Sequence, residues 1–201
     1  RLASDFAAEF PVDAAGNSFV TVGAAIHSVR AVPASDLPRF AEITGPLHVH
    51  LSEQPAENEA SIAAYGTTPT QVLARAGVVT ERLSPVHATH LTDADIATLG
   101  EGATTIVMCP CTEADLADGI GPARELAEAG ATIALGSDQH VVLDAHTDAA
   151  PFLGDLVVVR GDIDARLDGH RHARLEHTPL PADLVVADIV HVHAQPVAGT
   201  V

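Results

Sequence analysis

Residues 47–54, Leu47-His48-Val49-His50-Leu51-Ser52-Glu53-Gln54, contain the pattern that decides the fold class. An apolar run carrying two histidines is followed at once by polar residues. Continuous apolarity of this kind is typical of a parallel strand that is buried on both faces. Similar runs at 19–22, 85–87, 104–108 and 131–135 predict further strands of the same type. The sequence therefore predicts a parallel sheet.

The segments between these runs carry the signals that begin and end helices. Capping threonines and first-turn prolines precede helical patterns, and glycines follow two of them. Repeated strand–helix units from about residue 19 to 140 predict an α/β domain. The signals are Thr68-Pro69 and Gly77 for one helix, Thr92 with Asp95 for the next, and Pro122 with Gly130 for the last.

The alternation of strand and helix patterns stops after Asp144. Residues 154–159 and 182–187 are near-copies, and we predict a strand at each, with no clear helical pattern between them. We therefore divide the chain into a βα portion at 1–150 and a small β-rich appendage at 151–201.

The composition excludes several classes of partner. Acidic residues outnumber basic ones 27 to 10, and the formal net charge is −17. Such a surface repels phosphate backbones and anionic lipids, so we expect neither nucleic acid nor a membrane as partner. No apolar run approaches the roughly 20 residues of a membrane span. The two cysteines, Cys109 and Cys111, lie too close for a useful disulfide, which indicates a reducing, cytoplasmic compartment.

Polar residues follow four of the predicted strands. His50 lies near the end of one run and Glu53 follows it, His87 ends the next, residues 109–113 follow the third, and Asp138 follows the run at 131–135. In a parallel α/β fold these positions lie at the same edge of the sheet, where active sites are built. A catalytic divalent ion needs imidazole and carboxylate ligands and an open position for water. A nearby carboxylate can then move protons, and a second histidine can polarise the reacting group.

Each of these residues also has a structural interpretation. A single histidine in an apolar run is usually a core residue, and an aspartate after Gly-Ser is usually a helix cap. Glu53 alone could be a solvated acid in the first turn of a helix. Spacing alone leaves both interpretations open, and the joint order of the residues is what favours a metal-hydrolase site.

The motifs together resemble the formimidoylglutamate deiminases, in the deaminating branch of the amidohydrolase superfamily. The resemblance implies a (β/α)₈ TIM-type barrel, flanked by a small β domain to which 151–201 would belong. A complete barrel takes roughly 250 residues, so we expect a partial barrel here. The segments that carry the resemblance are 26–30, 48–54, 87–90, 109–120 and 136–140.

The resemblance also implies an activity and a set of functional residues. Water would attack the formimidoyl carbon of N-formimidoyl-L-glutamate, releasing ammonia and leaving N-formyl-L-glutamate. The cofactor would be zinc, with iron as an alternative, and the partner a small carboxylate-bearing substrate. The resemblance implies His50 and Asp138 as metal ligands, Glu53, His87 and Asp138 as catalytic residues, and His27, Arg30 and Gln54 as substrate-binding residues.

One element of the family pattern has no counterpart. The family's first strand carries a His-x-His pair that supplies two zinc ligands, and nothing in 1–47 matches it. The other His-x-His here, at His191 and His193, we assign to a strand of the flanking β domain. We therefore expect the chain to bind zinc weakly by itself. An open barrel also leaves strand edges bare, which favours association, for example as a homodimer.

Two alternatives remain at this stage. The chain could be another deaminase of the superfamily, acting on a guanine-, cytosine- or triazine-like ring, or a catalytically inactive fragment. A ring substrate calls for aromatic stacking, and this chain has one Tyr, no Trp and five Phe. Arg30 instead suits a carboxylate, because a guanidinium fork matches carboxylate geometry.

Overall fold

The chain forms a six-stranded parallel sheet in a computed structural model that describes residues 21–136, Asp138 and Val185–Val186. Among the described strands, neighbours in the sheet are also consecutive in the chain. This arrangement confirms the predicted α/β class and matches successive units of a (β/α) barrel. The strands are β1 (Ala24–Ile26), β2 (Leu47–Leu51), β3 (Leu83–His87), β4 (Thr105–Met108), β5 (Thr132–Leu135) and β6 (Val185–Val186).

Helices connect the first five strands. Two lie between β2 and β3, and two short ones lie between β4 and β5. Such helical crossovers are what parallel neighbouring strands require. The helices are α1 (Pro38–Ala41), α2 (Pro55–Tyr65), α3 (Pro69–Arg75), α4 (Asp93–Glu101), α5 (Pro110–Asp115) and α6 (Ala123–Ala129).

The predicted helix caps are confirmed at α3 and α4. Thr92 and Asp95 form both halves of a capping box, with N–O distances of 3.2 and 3.1 Å. Thr68 caps α3, and its hydroxyl also donates to Oδ1 of Asp95 at 2.6 Å. The same carboxylate therefore holds the first turns of two successive helices together.

The core is aliphatic, as the composition predicts, and it lies on both faces of the sheet. Val86, Val107 and Ala134 are register partners on β3, β4 and β5, so they form one buried row on the same face. A larger cluster packs helices against the sheet. Its fully buried leucines are Leu37, Leu47, Leu51, Leu73, Leu83, Leu99 and Leu126. Burial on both faces is the physical reason for the continuous apolar runs.

The predicted strand at 19–22 is wrong at its described residues. Thr21 and Val22 lie outside any strand, and β1 begins at Ala24; residues 19 and 20 lie outside the described part. The backbone N–H of Ala24 donates to the carbonyl oxygen of Pro46 at 2.9 Å. Pairing with β2 thus decides where β1 lies, although Ala24 and Ala25 have low β-propensity.

The predicted appendage at 151–201 is described at two residues only. Val185 and Val186 pair in parallel with Ala134 and Leu135 of β5, which extends the sheet by one strand. The boundary at 150, the strand at 154–159 and the placing of His191 and His193 lie outside the described residues and stay predictions. Across the described residues, helices are too short or too polar to cross a membrane.

Candidate active site

His50 lies near the carboxyl end of β2, and its ring is oriented by the backbone of the neighbouring strand. Its Nδ1–H donates to the carbonyl oxygen of His27 at 2.8 Å. Because a carbonyl oxygen only accepts, the proton of the neutral ring must reside on Nδ1, and Nε2 carries the lone pair. Metal-binding histidines are commonly oriented by this kind of hydrogen bond.

His87 is the last residue of β3 and is buried, with 2% of its surface exposed. Its ring stacks on that of His50, with centroids 5.8 Å apart and planes at 18°. The backbone is left-handed at His87 (φ 69°) and Ala88 (φ 52°). This conformation costs about 1–2 kcal/mol for each L-residue with a side chain. The surrounding structure therefore holds the strand end against its local preference, as often happens at functional sites.

Asp138 follows β5 and completes a three-residue group. Ligand atoms of His50, His87 and Asp138 all lie within 4.8 Å of one another. Two imidazoles and a carboxylate match the donor chemistry of a zinc site. The structure therefore brings the sequence-predicted ligands His50 and Asp138 together, and it adds His87 as a third neighbouring donor.

Glu53 lies just before α2, whose N-cap is Gln54, and not in the first turn of that helix. Its Oε1 is 3.7 Å from Nε2 of His87, and its Oε2 is 3.7 Å from Nη2 of Arg30. The Arg30 side chain is 40% exposed. Glu53 thus connects the histidine pair with the cation that the sequence assigned to substrate binding.

Of the other two predicted substrate residues, His27 lies beside this group and Gln54 follows Glu53 in the chain. His27 is exposed, and its ring centroid is 5.2 Å from that of His50. The Gln54 amide donates to Oδ1 of buried Asp118 at 3.0 Å, and Oδ2 of Asp118 has no hydrogen-bond partner in this structure. Sequence reasoning did not single out Asp118. The substrate-binding roles of His27, Arg30 and Gln54 stay predictions.

Comparison with protein families now identifies the chain. The family model for the amidohydrolase family matches residues 3–160. The chain belongs to the amidohydrolase family.

Curated relatives of this amidohydrolase include two kinds of enzyme. The chain is 35% identical over 136 residues to formimidoylglutamate deiminase of Pseudomonas aeruginosa, covering 66% of this chain and 29% of that protein. It is 30% identical over 205 residues to a 5-methylthioadenosine/S-adenosylhomocysteine deaminase of Moorella thermoacetica, covering 90% and 48%. The chain therefore spans less than half the length of either relative.

Among solved structures, an adenosine deaminase from Xanthomonas campestris with bound zinc superposes with a TM-score of 0.68. Its sequence identity is 28%, and the match covers 78% of this chain and 37% of that one. An amidohydrolase from Brucella melitensis gives 0.62 at 32% identity, covering 73% and 34%. Together with the parallel sheet, these matches confirm the predicted partial barrel.

Glu57 is a further buried acid of this amidohydrolase, and sequence reasoning missed it. Its Oε2 accepts the backbone N–H of Glu53 at 3.2 Å, and its Oε1 lies 3.9 Å from Nε of Arg30. Burial raises the pKa of Glu57 and outweighs the lowering by Arg30. A signal was present, because Glu57 stands at the third position of a helix that begins with Pro55, where a glutamate reaches back to the preceding backbone.

Glu113 on α5 is the second missed acid. It is 2% exposed, and its Oε1 lies 2.8 Å from the backbone nitrogen of Cys109 and 3.4 Å from Nδ1 of His87. Burial lowers the pKa of His87, but the hydrogen bond to Glu113 and the charges of Glu53, Glu113 and Asp138 together raise it above its ordinary value. The available signal was the stretch 109–120, which carried the resemblance without an assigned role.

Proposed function

We propose that the protein is a zinc-dependent deaminating hydrolase that converts N-formimidoyl-L-glutamate to N-formyl-L-glutamate and ammonia. One observation carries the proposal: Glu53 lies 3.7 Å from His87, beside the group formed by His50, His87 and Asp138. An acid–base group next to a metal-type donor set is the arrangement that hydrolytic deamination needs. The identity to formimidoylglutamate deiminase of Pseudomonas aeruginosa supports the choice of substrate.

His50 and Asp138 would hold the zinc ion, with His87 adjacent. His50 suits this role because its Nδ1–H is donated to His27, which directs the lone pair of Nε2 away from that carbonyl. When bound, zinc supplies an acidic water molecule as the nucleophile at neutral pH.

The protein's own carboxylates and histidine would manage the protons and the developing charge. The Asp138 carboxylate accepts a proton from the attacking water, and Oε1 of Glu53 delivers a proton to the departing nitrogen. His87, beside Glu53, polarises the group under attack. Nε2 of His87 and Oε1 of Glu53 lie 3.7 Å apart, so both groups can act on the same substrate.

Arg30 supports a carboxylate-bearing substrate. Its guanidinium lies 3.7 Å from Glu53 and 3.9 Å from Glu57, and its side chain is 40% exposed. A substrate carboxylate can therefore approach the exposed part of the fork while Glu53 and Glu57 hold the other part. His27 and Gln54 would complete the contacts to the glutamate moiety.

A second candidate is deamination of an adenine nucleoside. It is favoured by the relative from Moorella thermoacetica, a 5-methylthioadenosine/S-adenosylhomocysteine deaminase that matches 90% of this chain. An adenine ring would need a flat apolar surface near Glu53. The sequence offers one Tyr, no Trp and five Phe for such a surface, which favours the first candidate.

Ammonia release distinguishes the two candidates. The zinc-loaded protein is assayed with N-formimidoyl-L-glutamate, 5-methylthioadenosine and S-adenosylhomocysteine in parallel. We expect release from the first substrate, and Arg30→Met should raise its KM by about tenfold or more, since a charged hydrogen bond is worth about 1.5–3 kcal/mol. Arg75→Met, at an exposed position of α3, is the matched control. Preference for a nucleoside, or an unchanged KM in Arg30→Met, would refute the proposed substrate.

A further inference from the structure

Glu113 occupies a position that the proposed chemistry leaves unexplained. It is a fully buried carboxylate, and the same oxygen, Oε1, faces two groups: the backbone N–H of Cys109 at 2.8 Å and Nδ1 of His87 at 3.4 Å. Burying a carboxylate is costly unless hydrogen bonds compensate. These two contacts therefore account for the presence of the charge on α5, and one of them is to a residue of the candidate site.

We infer that Glu113 is a positioning residue, whose carboxylate fixes the proton of His87 on Nδ1 and so presents Nε2 to Glu53. The inference rests on the proposed function for its catalytic meaning. Its structural content, the orientation and tautomer of one ring, stands independently of any substrate.

The chemistry of imidazole explains why such a residue is needed. A neutral ring carries its proton on one nitrogen only, and an ionised carboxylate can only accept. Each ring nitrogen faces a carboxylate, and Glu113 is the nearer one, at 3.4 Å from Nδ1 against 3.7 Å between Nε2 and Oε1 of Glu53. The neutral ring therefore keeps its proton on Nδ1, and the lone pair of Nε2 can accept a proton that Glu53 carries. The other tautomer would place an N–H on the side of Glu53 and leave Glu113 without a donor from the ring.

The backbone of His87 gives a second argument. Two successive left-handed residues, His87 and Ala88, end β3, so the local conformation is not one that the chain prefers. The ring must be held by its surroundings. Those surroundings are the stacked ring of His50 on one face and Glu113 at Nδ1.

The cluster has one competing interpretation. Ligand atoms of His87, Cys109 and Glu113 also lie within 4.8 Å of one another and could hold a metal ion. Because Oε1 of Glu113 already faces two donors, an ion there would have to replace both contacts. The positioning role needs no such rearrangement, and a second bound zinc is an outcome that the test can detect.

The test reads the tautomer directly. The chain is labelled with ¹⁵N-histidine, freed of metal, and studied by long-range ¹H–¹⁵N NMR at alkaline pH, where the ring is neutral. The signals of His87 are assigned by their loss in His87→Gln. We expect the Nδ1–H tautomer in the unmodified chain and in Glu113→Gln, whose amide oxygen still accepts, and loss of this preference in Glu113→Leu. Glu125→Leu, at an exposed position of α6, is the control.

Activity and zinc content supply the second reading. In the zinc-loaded protein, Glu113→Leu should lower kcat by about 10–100-fold, the usual cost of removing a group that orients a functional histidine, and change KM little. An Nε2–H tautomer in the unmodified chain, an unchanged tautomer in Glu113→Leu, or a second zinc lost in Glu113→Leu would overturn the inference. If the unmodified protein released no ammonia, the proposed function would fail while the tautomer result would still decide the role of Glu113.

Discussion

Glu53 has different neighbours at its two carboxylate oxygens. Oε1 lies near Nε2 of His87 and Oε2 lies near Nη2 of Arg30, each at 3.7 Å. The carboxylate can therefore contact the histidine and the cation at the same time. This asymmetry suits a group that must bind a proton and release it within one reaction.

Replacing Glu53 by glutamine should separate proton transfer from metal binding. Glu53→Gln keeps the shape of the side chain but cannot carry a proton, so turnover should fall by about a hundredfold or more. Zinc content per chain should stay unchanged. Both quantities are measured on the same preparation, by ammonia release and by metal analysis, with Glu81→Gln as an exposed control. Loss of zinc together with activity would make Glu53 a ligand.

Glu57 should make stability depend on pH in a defined direction. Its folded-state pKa is raised above the ordinary value of 4.5, so the folded state holds this proton more strongly than the unfolded state. The stability of the chain then falls as pH rises from 4.5 through the raised value. Glu57→Gln cannot titrate at this position and so avoids this loss. The free energy of unfolding of Glu57→Gln, relative to that of the unmodified chain, should therefore rise over that pH range and then become constant.

Urea unfolding at several pH values measures this difference. Glu59→Gln, exposed on the same helix, is the control. The stability of Glu57→Gln relative to the unmodified chain could instead be lower at neutral pH than at pH 4.5. That result would show that the contact with Arg30 outweighs the cost of burial.

Sequence reasoning predicted the residues of the site that carry distinctive chemistry. His50, His87 and Asp138 were predicted to converge, and the structure brings them together. Glu57 and Glu113 were missed because an acid near a helix start has an ordinary explanation, the helix dipole. Only the fold shows that both acids are buried, since burial depends on neighbours that are distant in the sequence.

At the level of elements, one glycine sets how closely two helices pack. A Cβ added at Gly100 of α4 would lie 2.2 Å from the carbonyl oxygen of Ala129 at the end of α6. The neighbouring atom belongs to the backbone, so it cannot rotate away. The absence of a side chain at Gly100 is therefore a condition for the contact between α4 and α6.

Adding a methyl group at this contact should destabilise the chain. Gly100→Ala should lower the free energy of unfolding by about 1–3 kcal/mol, the usual cost of overpacking, although alanine favours a helix by about 1 kcal/mol. Thermal or urea unfolding gives the value. Ala97→Ser, exposed on the same helix, also adds one heavy atom and should change stability little. Equal stability of the two variants would mean that α4 and α6 move apart without cost.

Most elements could be predicted where the sequence carries a continuous apolar run or the capping residues that begin or end a helix. The strands β2 to β5 follow continuous apolar runs, and α3, α4 and α6 follow their capping residues. The prediction failed at β1, where Ala24 and Ala25 form a strand because β2 lies beside them. The sequence analysis predicted no helix at 55–65. The N-cap of α2 is Gln54, which is not a preferred capping residue, and α2 itself is largely polar.

For the whole molecule, zinc binding tests whether distant segments contribute to the site. Within the described residues, ligand atoms of His50, His87 and Asp138 lie within 4.8 Å of one another, and the proposed zinc ligands are His50 and Asp138. Removing a group that merely orients a metal ligand costs about 10–100-fold in affinity, so losing a ligand should cost more. We expect His50→Ala to weaken zinc binding by more than about 100-fold, measured by equilibrium dialysis of the 201-residue chain.

Two variants serve as comparisons in that measurement. His48→Ala changes a histidine on the same strand, outside the donor group, and should leave the affinity unchanged. The double variant His191→Ala, His193→Ala should also leave it unchanged if these residues belong to a flanking strand. A loss as large as that of His50→Ala would make them zinc ligands. A homodimer and a cytoplasmic location stay predictions, and sedimentation of the same chain tests the first.

The order of the strands also bears on how the chain folds. From β1 to β5 each strand pairs with the one that follows it in the chain, across a single helical connection or helix pair. Closing these connections costs less conformational entropy than pairing strands that lie farther apart in the chain, so contacts between consecutive strands are favoured over more distant ones. During synthesis each new strand can therefore join the sheet soon after it leaves the ribosome, whereas β6, which pairs across a much longer connection, joins last.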